Sequence, residues 1–220
     1  MKEGDIVTTI EPSVQDYLER TLEAVNDTWS SDYSGGIVMD PATGAVLAIA
    51  QSPTFDPNDF SDVLDSKTFS NRLVEDVYEM GSIIKPLTVA AGLDAGVITP
   101  TSTFFDPGFL VLNNRRISNY DGKGRGTVGV QEILSQSLNT GAAYVAGKLG
   151  NANFSRYMRS FGFDTKTGID LPLEAAPLAE NLDSPREIEI ATASYGQGIA
   201  MTPIATTRAL AVLANNGKLV

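Results

Sequence analysis

Ser82 and Lys85, in the run Gly81-Ser82-Ile83-Ile84-Lys85-Pro86, are the residues of this chain best suited to covalent chemistry. The 220 residues contain neither histidine nor cysteine. A serine nucleophile therefore has no imidazole to activate it, and a thiol route is closed. Lysine is the remaining strong base. Residues three apart on a helix share a face, so Ser82 Oγ and Lys85 Nζ can converge. Pro86 belongs near a helix start, where amide groups have no partner anyway. The spacing thus predicts a helix that begins close to Gly81-Ser82 and runs through Leu87, Ala90, Ala91 and Leu93 to about Ala95. It sets the hydroxyl at a positive helix end, with the Ser82 N–H able to face a developing oxyanion. About one Ser-x-x-Lys is expected by chance in a chain of this length. The tetrapeptide is equally compatible with an N-cap serine and a solvated lysine.

A second pair is Ser137-Leu138-Asn139, placed where one helix ends and another begins. A hydroxyl two residues from a carboxamide offers a proton relay and a group able to bind a peptide backbone. Ser137, Asn139 or Thr140 would serve as well for a helix N-cap.

The elements that must position these groups read as a mixed helix and strand chain. Residues 5–10 suggest a short strand. A helix opens at Pro12-Ser13 with Val14, Leu18, Leu22 and Val25 on its apolar face. Residues 36–39 and 45–50 flank Asp40-Pro41-Ala42-Thr43-Gly44, a hairpin signal. The stretches 51–70, 100–127 and 162–184 read as irregular. Helices are expected at about 130–136, 140–149, 153–161, 186–193 and 203–214. The pattern is that of one α/β or α+β unit. A two-stranded hairpin is marginal by itself, and residues 215–220 look like a loop entering a further strand.

Composition narrows the partners. The formal net charge is −11, from 27 acidic and 16 basic residues, which disfavours nucleic acid and an anionic membrane surface. Without cysteine or histidine there is no thiolate zinc site, and no calcium loop motif is present. No cofactor is expected. No apolar stretch reaches about 18 residues, and no signal-peptide pattern opens the chain.

Taken together, the motifs carry a resemblance. Residues 78–88 (Tyr78-Glu79-Met80-Gly81-Ser82 through Lys85-Pro86-Leu87-Thr88) closely resemble the active-serine segment of penicillin-binding proteins, the D,D-transpeptidases of bacterial wall synthesis. Residues 8–15, 38–48, 135–141, 167–172 and 194–203 are similar to other segments of that family, in its order, so the likeness covers nearly the whole chain. Two departures stand out. The family's Lys-Thr/Ser-Gly motif lies on a strand downstream of Gly196-Gln197-Gly198, whereas Lys166-Thr167-Gly168 precedes it in a Gly/Pro loop and is read as a chance match. Leu173 stands where the family usually has glycine.

The resemblance implies a penicillin-binding protein/β-lactamase-like fold, with helices packed on an antiparallel sheet and C-terminal strands missing from this chain. Residues 1–220 are then a single partial transpeptidase domain, without membrane anchor or pedestal, and impaired by itself. It implies acyl transfer from peptidoglycan stem peptides ending in D-Ala-D-Ala. Ser82 is the nucleophile, Lys85 its base, Ser137 a proton relay, and Asn139 a substrate-binding amide that packs against Lys85. For that role the Lys85 pKa must fall about three units from ~10.4. β-Lactam antibiotics and cell-wall synthesis proteins are the implied partners, at the extracytoplasmic face of the bacterial inner membrane. Alternatives sharing the first motifs are a β-lactamase-like serine hydrolase, a D,D-carboxypeptidase, and a non-catalytic β-lactam sensor or wall-binding module. For a hydrolase, Glu174, Glu180 and Glu187 are candidate deacylating groups, though solvated charge is the favoured reading of all three.

Overall fold

A computed structural model describes residues 4–61, 63 and 65–220. In chain order its regular elements are α1 (Pro12–Trp29), β1 (Ser34–Met39), β2 (Val46–Ser52), α2 (Arg72–Glu75), α3 (Lys85–Asp94), β3 (Thr103–Asp106), β4 (Phe109–Leu112), β5 (Arg115–Ser118), β6 (Gly126–Gly129), α4 (Gln131–Ser135), α5 (Asn139–Leu149), α6 (Asn151–Ser160), α7 (Glu187–Ala193) and α8 (Pro203–Ala211). The described residues fall into two compact units. One comprises residues up to Asp76 with Thr167–Ala175 and Thr202–Val220; the other comprises Val77–Lys166 and Ala176–Met201.

In the first unit, β1 and β2 form the antiparallel hairpin that the sequence announces, in register from Ser34↔Ser52 to Val38↔Ala48, with a shift of register before Met39↔Val46. Asp40 builds the turn by accepting from the Ala42 amide and the Thr43 hydroxyl. These two bonds, the hydroxyl first, hold its carboxyl below the usual carboxylate range. Gly35 and Gly36 point to opposite faces, as successive strand residues must. A Cβ on Gly36 would lie 2.8 Å from Leu18 of α1, and one on Gly35 would lie 2.7 Å from Leu73 of α2. The two glycines therefore let a helix approach each face of β1.

α1 also answers how a two-stranded sheet avoids a bare edge. Gln15 Oε1 accepts from the Ile49 amide at 2.9 Å, and its Nε2 donates to the Ile49 carbonyl at 3.0 Å. The Glu11 amide donates to Leu47 O, and Asn26 Nδ2 donates to Ser52 O. Side chains and the entry of one helix thus satisfy the outer edge of β2, in place of a third strand.

Two expectations fail in this unit. Residues 5–10 form no strand: Thr9 donates its hydroxyl to Val46 O, but no ladder develops, and Ile6 and Val7 stay exposed. With only that side-chain tether and the Glu11 amide bond, the segment has no partner backbone to continue along. On α1, Leu22 is buried while Val25 remains exposed, because a sheet of two strands is too narrow to cover the whole stripe. Just beyond the stretch 51–70, Asn71 caps the short helix α2 by accepting from Leu73 N, an element the sequence reading does not include.

Thr167–Ala175 forms an irregular loop, in keeping with the reading that this Lys-Thr-Gly is a coincidence of sequence. Glu174 closes it, accepting from the Thr167 amide and hydroxyl and from the Gly168 amide. Glu174 is therefore a loop clamp and not solvated charge, whereas Glu180 and Glu187 are exposed.

The second unit is built around α5, which packs against α3, α6 and α7. Gly141, Ala142, Ala143 and Ala146 are buried along it, and these small residues allow close helix approach. A Cβ on Gly92 of α3 would come within 2.5 Å of Val145. Leu87, Ile133, Leu138, Phe154 and Met158 fill the core. The region 100–127, expected to be irregular, holds four short strands in two antiparallel pairs, β3–β6 and β4–β5. The β4–β5 turn is Asn113-Asn114, both at positive φ, a two-residue hairpin loop that asparagine tolerates. That signal was readable between Phe109–Leu112 and Arg115–Ser118. The β3–β6 pairing joins segments some twenty residues apart and leaves no local mark.

Replacing Gln15 by Ala leaves both backbone groups of Ile49 without partners. The expected cost is about 1–3 kcal/mol, measured as a lowered urea midpoint with an unchanged slope.

Candidate active site

The site lies within the second unit and begins with a backbone clamp. Tyr78 and Met201 exchange reciprocal amide–carbonyl bonds at 2.9 and 3.1 Å, and the Gly81 amide donates to Gly196 O. Gly196 has φ +78°, and a Cβ there would lie 2.3 Å from Gly81 O. Glycine is required at this crossing for both reasons. The next glycine is held as well: Gly198 N donates to Glu79 Oε1, and Gly198 O accepts from Asn181 Nδ2. The segment that carries Ser82 is therefore anchored before it enters a helix.

Gly81–Ile84 form a single 3-10 turn that runs directly into α3, with Pro86 in its first turn. Ser82 is exposed and its amide donates to no acceptor among the described residues. Lys85 is its opposite, 1% exposed. The three positions around its Nζ are filled by Ser82 Oγ at 3.0 Å, Ser137 O at 2.6 Å and Ser137 Oγ at 2.8 Å. Ser137 Oγ in turn donates to Ser82 Oγ at 2.9 Å. Ser82, Lys85 and Ser137 thus close a three-membered ring of contacts between residues 55 positions apart.

Burial lowers the Lys85 pKa to about 8. Desolvation alone accounts for this, and it covers most of the anticipated fall. At pH 7 roughly a tenth of such lysines are free base, against fewer than about one in a thousand for an ordinary one.

Ser137 reaches Lys85 because of its backbone. It sits between α4 and α5 at φ +52°, a conformation disfavoured for a residue with a Cβ and common at functional sites. The N-cap of α5 is Leu138, which offers no side-chain cap. The capping alternative for Ser137 is therefore ruled out, and its hydroxyl is free for the site. Asn139 is half-buried, and its Nδ2 donates to Ser118 O at 2.9 Å. No bond joins it to Lys85, while its Oδ1 has no donor among the described residues.

Sequence reasoning missed the groups beneath this segment. The Thr140 amide, an orphan donor of the first turn of α5, is accepted by Asn119 Oδ1 at 3.2 Å. The Thr140 hydroxyl donates to Asp106 Oδ1 at 2.8 Å, and Asn119 Nδ2 donates to Asp106 Oδ2 at 2.9 Å. All three residues are buried. Buried polar residues on different elements carry no spacing signal; only the Asp-Pro-Gly turn at 106–108 hinted that Asp106 had a local role.

A serine hydroxyl held between a buried lysine and a second serine is the arrangement expected of active-serine proteins that work without histidine. The comparisons narrow that class. Residues 35–220 match the penicillin binding protein transpeptidase domain, and the chain belongs to that family. It is 31% identical to stage V sporulation protein D of Bacillus subtilis over 99% of the chain and 34% of that protein. It is 33% identical to the peptidoglycan D,D-transpeptidase MrdA of Escherichia coli K12 over 97% of the chain and 36% of the relative. Among solved structures it resembles penicillin-binding protein 3 of Mycobacterium tuberculosis complexed with aztreonam, with a TM-score of 0.89 at 25% identity, covering 96% of the chain and 47% of that structure. The chain spans about a third of the length of the curated relatives it matches.

Two outcomes test this geometry. Gly196→Ala forces either a left-handed alanine or displacement of Gly81, and is expected to destabilise by about 2 kcal/mol or more, read by chemical denaturation. The second concerns pH. The folded Lys85 pKa, about 8, lies below the unfolded value of 10.5, so between these values the unfolded chain binds more protons and stability rises with pH. The penalty of the buried ammonium is fully present below about pH 8 and relieved toward pH 10.5. Relative to Lys85→Met, the wild type should gain roughly 3 kcal/mol across that window, measured as the difference in unfolding free energy at each pH.

Proposed function

We propose that this chain carries the acyl-transfer centre of a peptidoglycan D,D-transpeptidase, with Ser82 as nucleophile, Lys85 as base and Ser137 as relay. The observation that carries the reading is the closed contact of Ser82 Oγ, Lys85 Nζ and Ser137 Oγ around a buried lysine. As the ammonium, Lys85 directs its three protons at Ser82 Oγ, Ser137 Oγ and Ser137 O. Loss of one proton leaves two donors on Ser137 and a lone pair directed at Ser82.

From that state the steps follow. Ser82 Oγ attacks the penultimate carbonyl of a peptide ending in D-Ala-D-Ala, and its proton passes to Lys85 Nζ. The Ser82 N–H supports the oxyanion. As the tetrahedral intermediate collapses, the C–N bond breaks. Lys85 returns its proton through Ser137 Oγ to the departing amine, so terminal D-alanine leaves and an ester to Ser82 remains. An amine of a neighbouring peptide then attacks the ester, giving up its proton along the same route, and restores the Ser82 hydroxyl. Asn139 offers its open Oδ1 to a substrate amide.

A β-lactam places a strained amide in the same position, and the structural relative that holds aztreonam, a monocyclic β-lactam, supports this ligand class. Stem peptides, β-lactams and cell-wall synthesis proteins are thus the proposed partners of the intact protein, at the extracytoplasmic face of the inner membrane. Among the described residues no helix is long and apolar enough to cross a membrane.

The test is covalent labelling with a fluorescent penicillin followed by peptide mapping. Label should map to Ser82 and vanish in Ser82→Ala. Its second-order rate constant should rise about fivefold from pH 7 to pH 8 and about tenfold in all as Lys85 loses its proton, levelling off above about pH 9. A folded protein that takes no label, or takes it elsewhere, would refute the assignment.

A further inference from the structure

The ring of contacts at Ser82 depends on where Ser137 is held, and Ser137 stands in a disfavoured backbone conformation with no cap of its own helix to support it. What holds the start of α5 is the buried carboxylate of Asp106. It is 1% exposed. Its Oδ1 accepts from Gly108 N at 2.8 Å and from the Thr140 hydroxyl at 2.8 Å. Its Oδ2 accepts from Asn119 Nδ2 at 2.9 Å and from Arg125 N at 3.1 Å. Two of these donors lead back to the site. Thr140 lies three residues beyond Ser137. Asn119 caps the first turn of α5 by accepting from Thr140 N, and the carbonyl of the preceding residue, Ser118, accepts from Asn139 Nδ2. Residues 137–140 are thereby tied to 118–119 at two points and to Asp106 at one.

We propose that Asp106 is a positioning residue for the acyl-transfer centre: through Thr140 and Asn119 its carboxylate sets the start of α5, and with it the place of Ser137 against Ser82 and Lys85. This rests on the proposed function, since it assigns a role within that site. The carboxylate suits the task because both oxygens are pure acceptors and four donors converge on them. Its negative charge also lies at the amino-terminal end of α5, where the helix dipole favours it. An asparagine at 106 keeps the shape but turns an N–H donor toward other donors. The effect reaches Ser137 Oγ as a displacement, and misplacement of about an ångström can cost on the order of a hundredfold in rate.

The experiment follows acylation of the protein by a fluorescent penicillin, resolved into the acylation rate constant and the apparent dissociation constant. It compares the wild type with Asp106→Asn, Thr140→Val and Thr140→Ser, at a temperature where each is folded. Asp106→Asn and Thr140→Val should lower the acylation rate constant at least about tenfold, with the dissociation constant changed far less. Thr140→Ser keeps the hydroxyl and should restore most of the rate. Met158→Ala, which opens a cavity in the core of the same unit, should lower stability and leave the rate constant unchanged in the folded protein. If the wild type acylates and Asp106→Asn does so at the wild-type rate, or if Met158→Ala slows it equally, Asp106 is merely structural and the inference falls alone. If the wild type takes no label, the acyl-transfer reading falls and the inference with it.

Discussion

The interior place of one ammonium group organises the second unit. Lys85 has almost no contact with water, and burial of a charged group is costly unless each of its protons finds a partner. Three partners are supplied: one by the serine three residues before it, two by a single residue on another element, through its carbonyl and its hydroxyl. That requirement explains why Ser137 adopts a left-handed backbone, why Leu138 and not a polar residue precedes α5, and why the first turn of α5 is capped by Asn119 from outside. The same burial that demands these partners lowers the lysine pKa to about 8, which is what the proposed role as base requires.

Glycines do the corresponding work at the other end of the active segment. The crossing of Gly81 and Gly196 brings two backbones closer than any side chain permits, so the Ser82 turn is fixed by main-chain bonds to residues 196–201 before α3 begins. Thr88, one turn into that helix, adds a buried hydroxyl bond to Ser194 O. Ser82 is exposed, yet the segments on both sides of it are held by hydrogen bonds. An open hydroxyl on a well-anchored backbone is what electrostatic preorganisation would require of the proposed acyl transfer.

The hairpin unit shows a different solution to a different problem. Two strands make a poor sheet, and the open edge of β2 would ordinarily invite another chain. Here Gln15 imitates a strand residue, offering a carbonyl and an N–H to Ile49 from the side of a helix. A side-chain amide at strand-like reach leaves no local mark in the sequence, because its register on Ile49 depends on the seating of α1 against Gly36.

Much of the molecule was nevertheless legible in the chain. The Ser-x-x-Lys spacing before a proline, the Pro/Gly hairpin turn and the helices from 130 onward follow from local rules: periodicity, caps and turn chemistry act over a few residues and leave their mark there. Absence of histidine and cysteine alone made lysine the candidate base. Residues 5–10 and 100–127 were misread for the opposite reason, since whether an extended segment becomes a strand is decided by a partner backbone elsewhere. Tertiary structure alone decided that Lys85 is buried, that Ser137 turns its hydroxyl inward instead of capping α5, and that Asp106, Asn119 and Thr140 meet beneath the site. Those are facts of desolvation and convergence across dozens of residues, and a linear sequence encodes the groups that converge without encoding the distances between them.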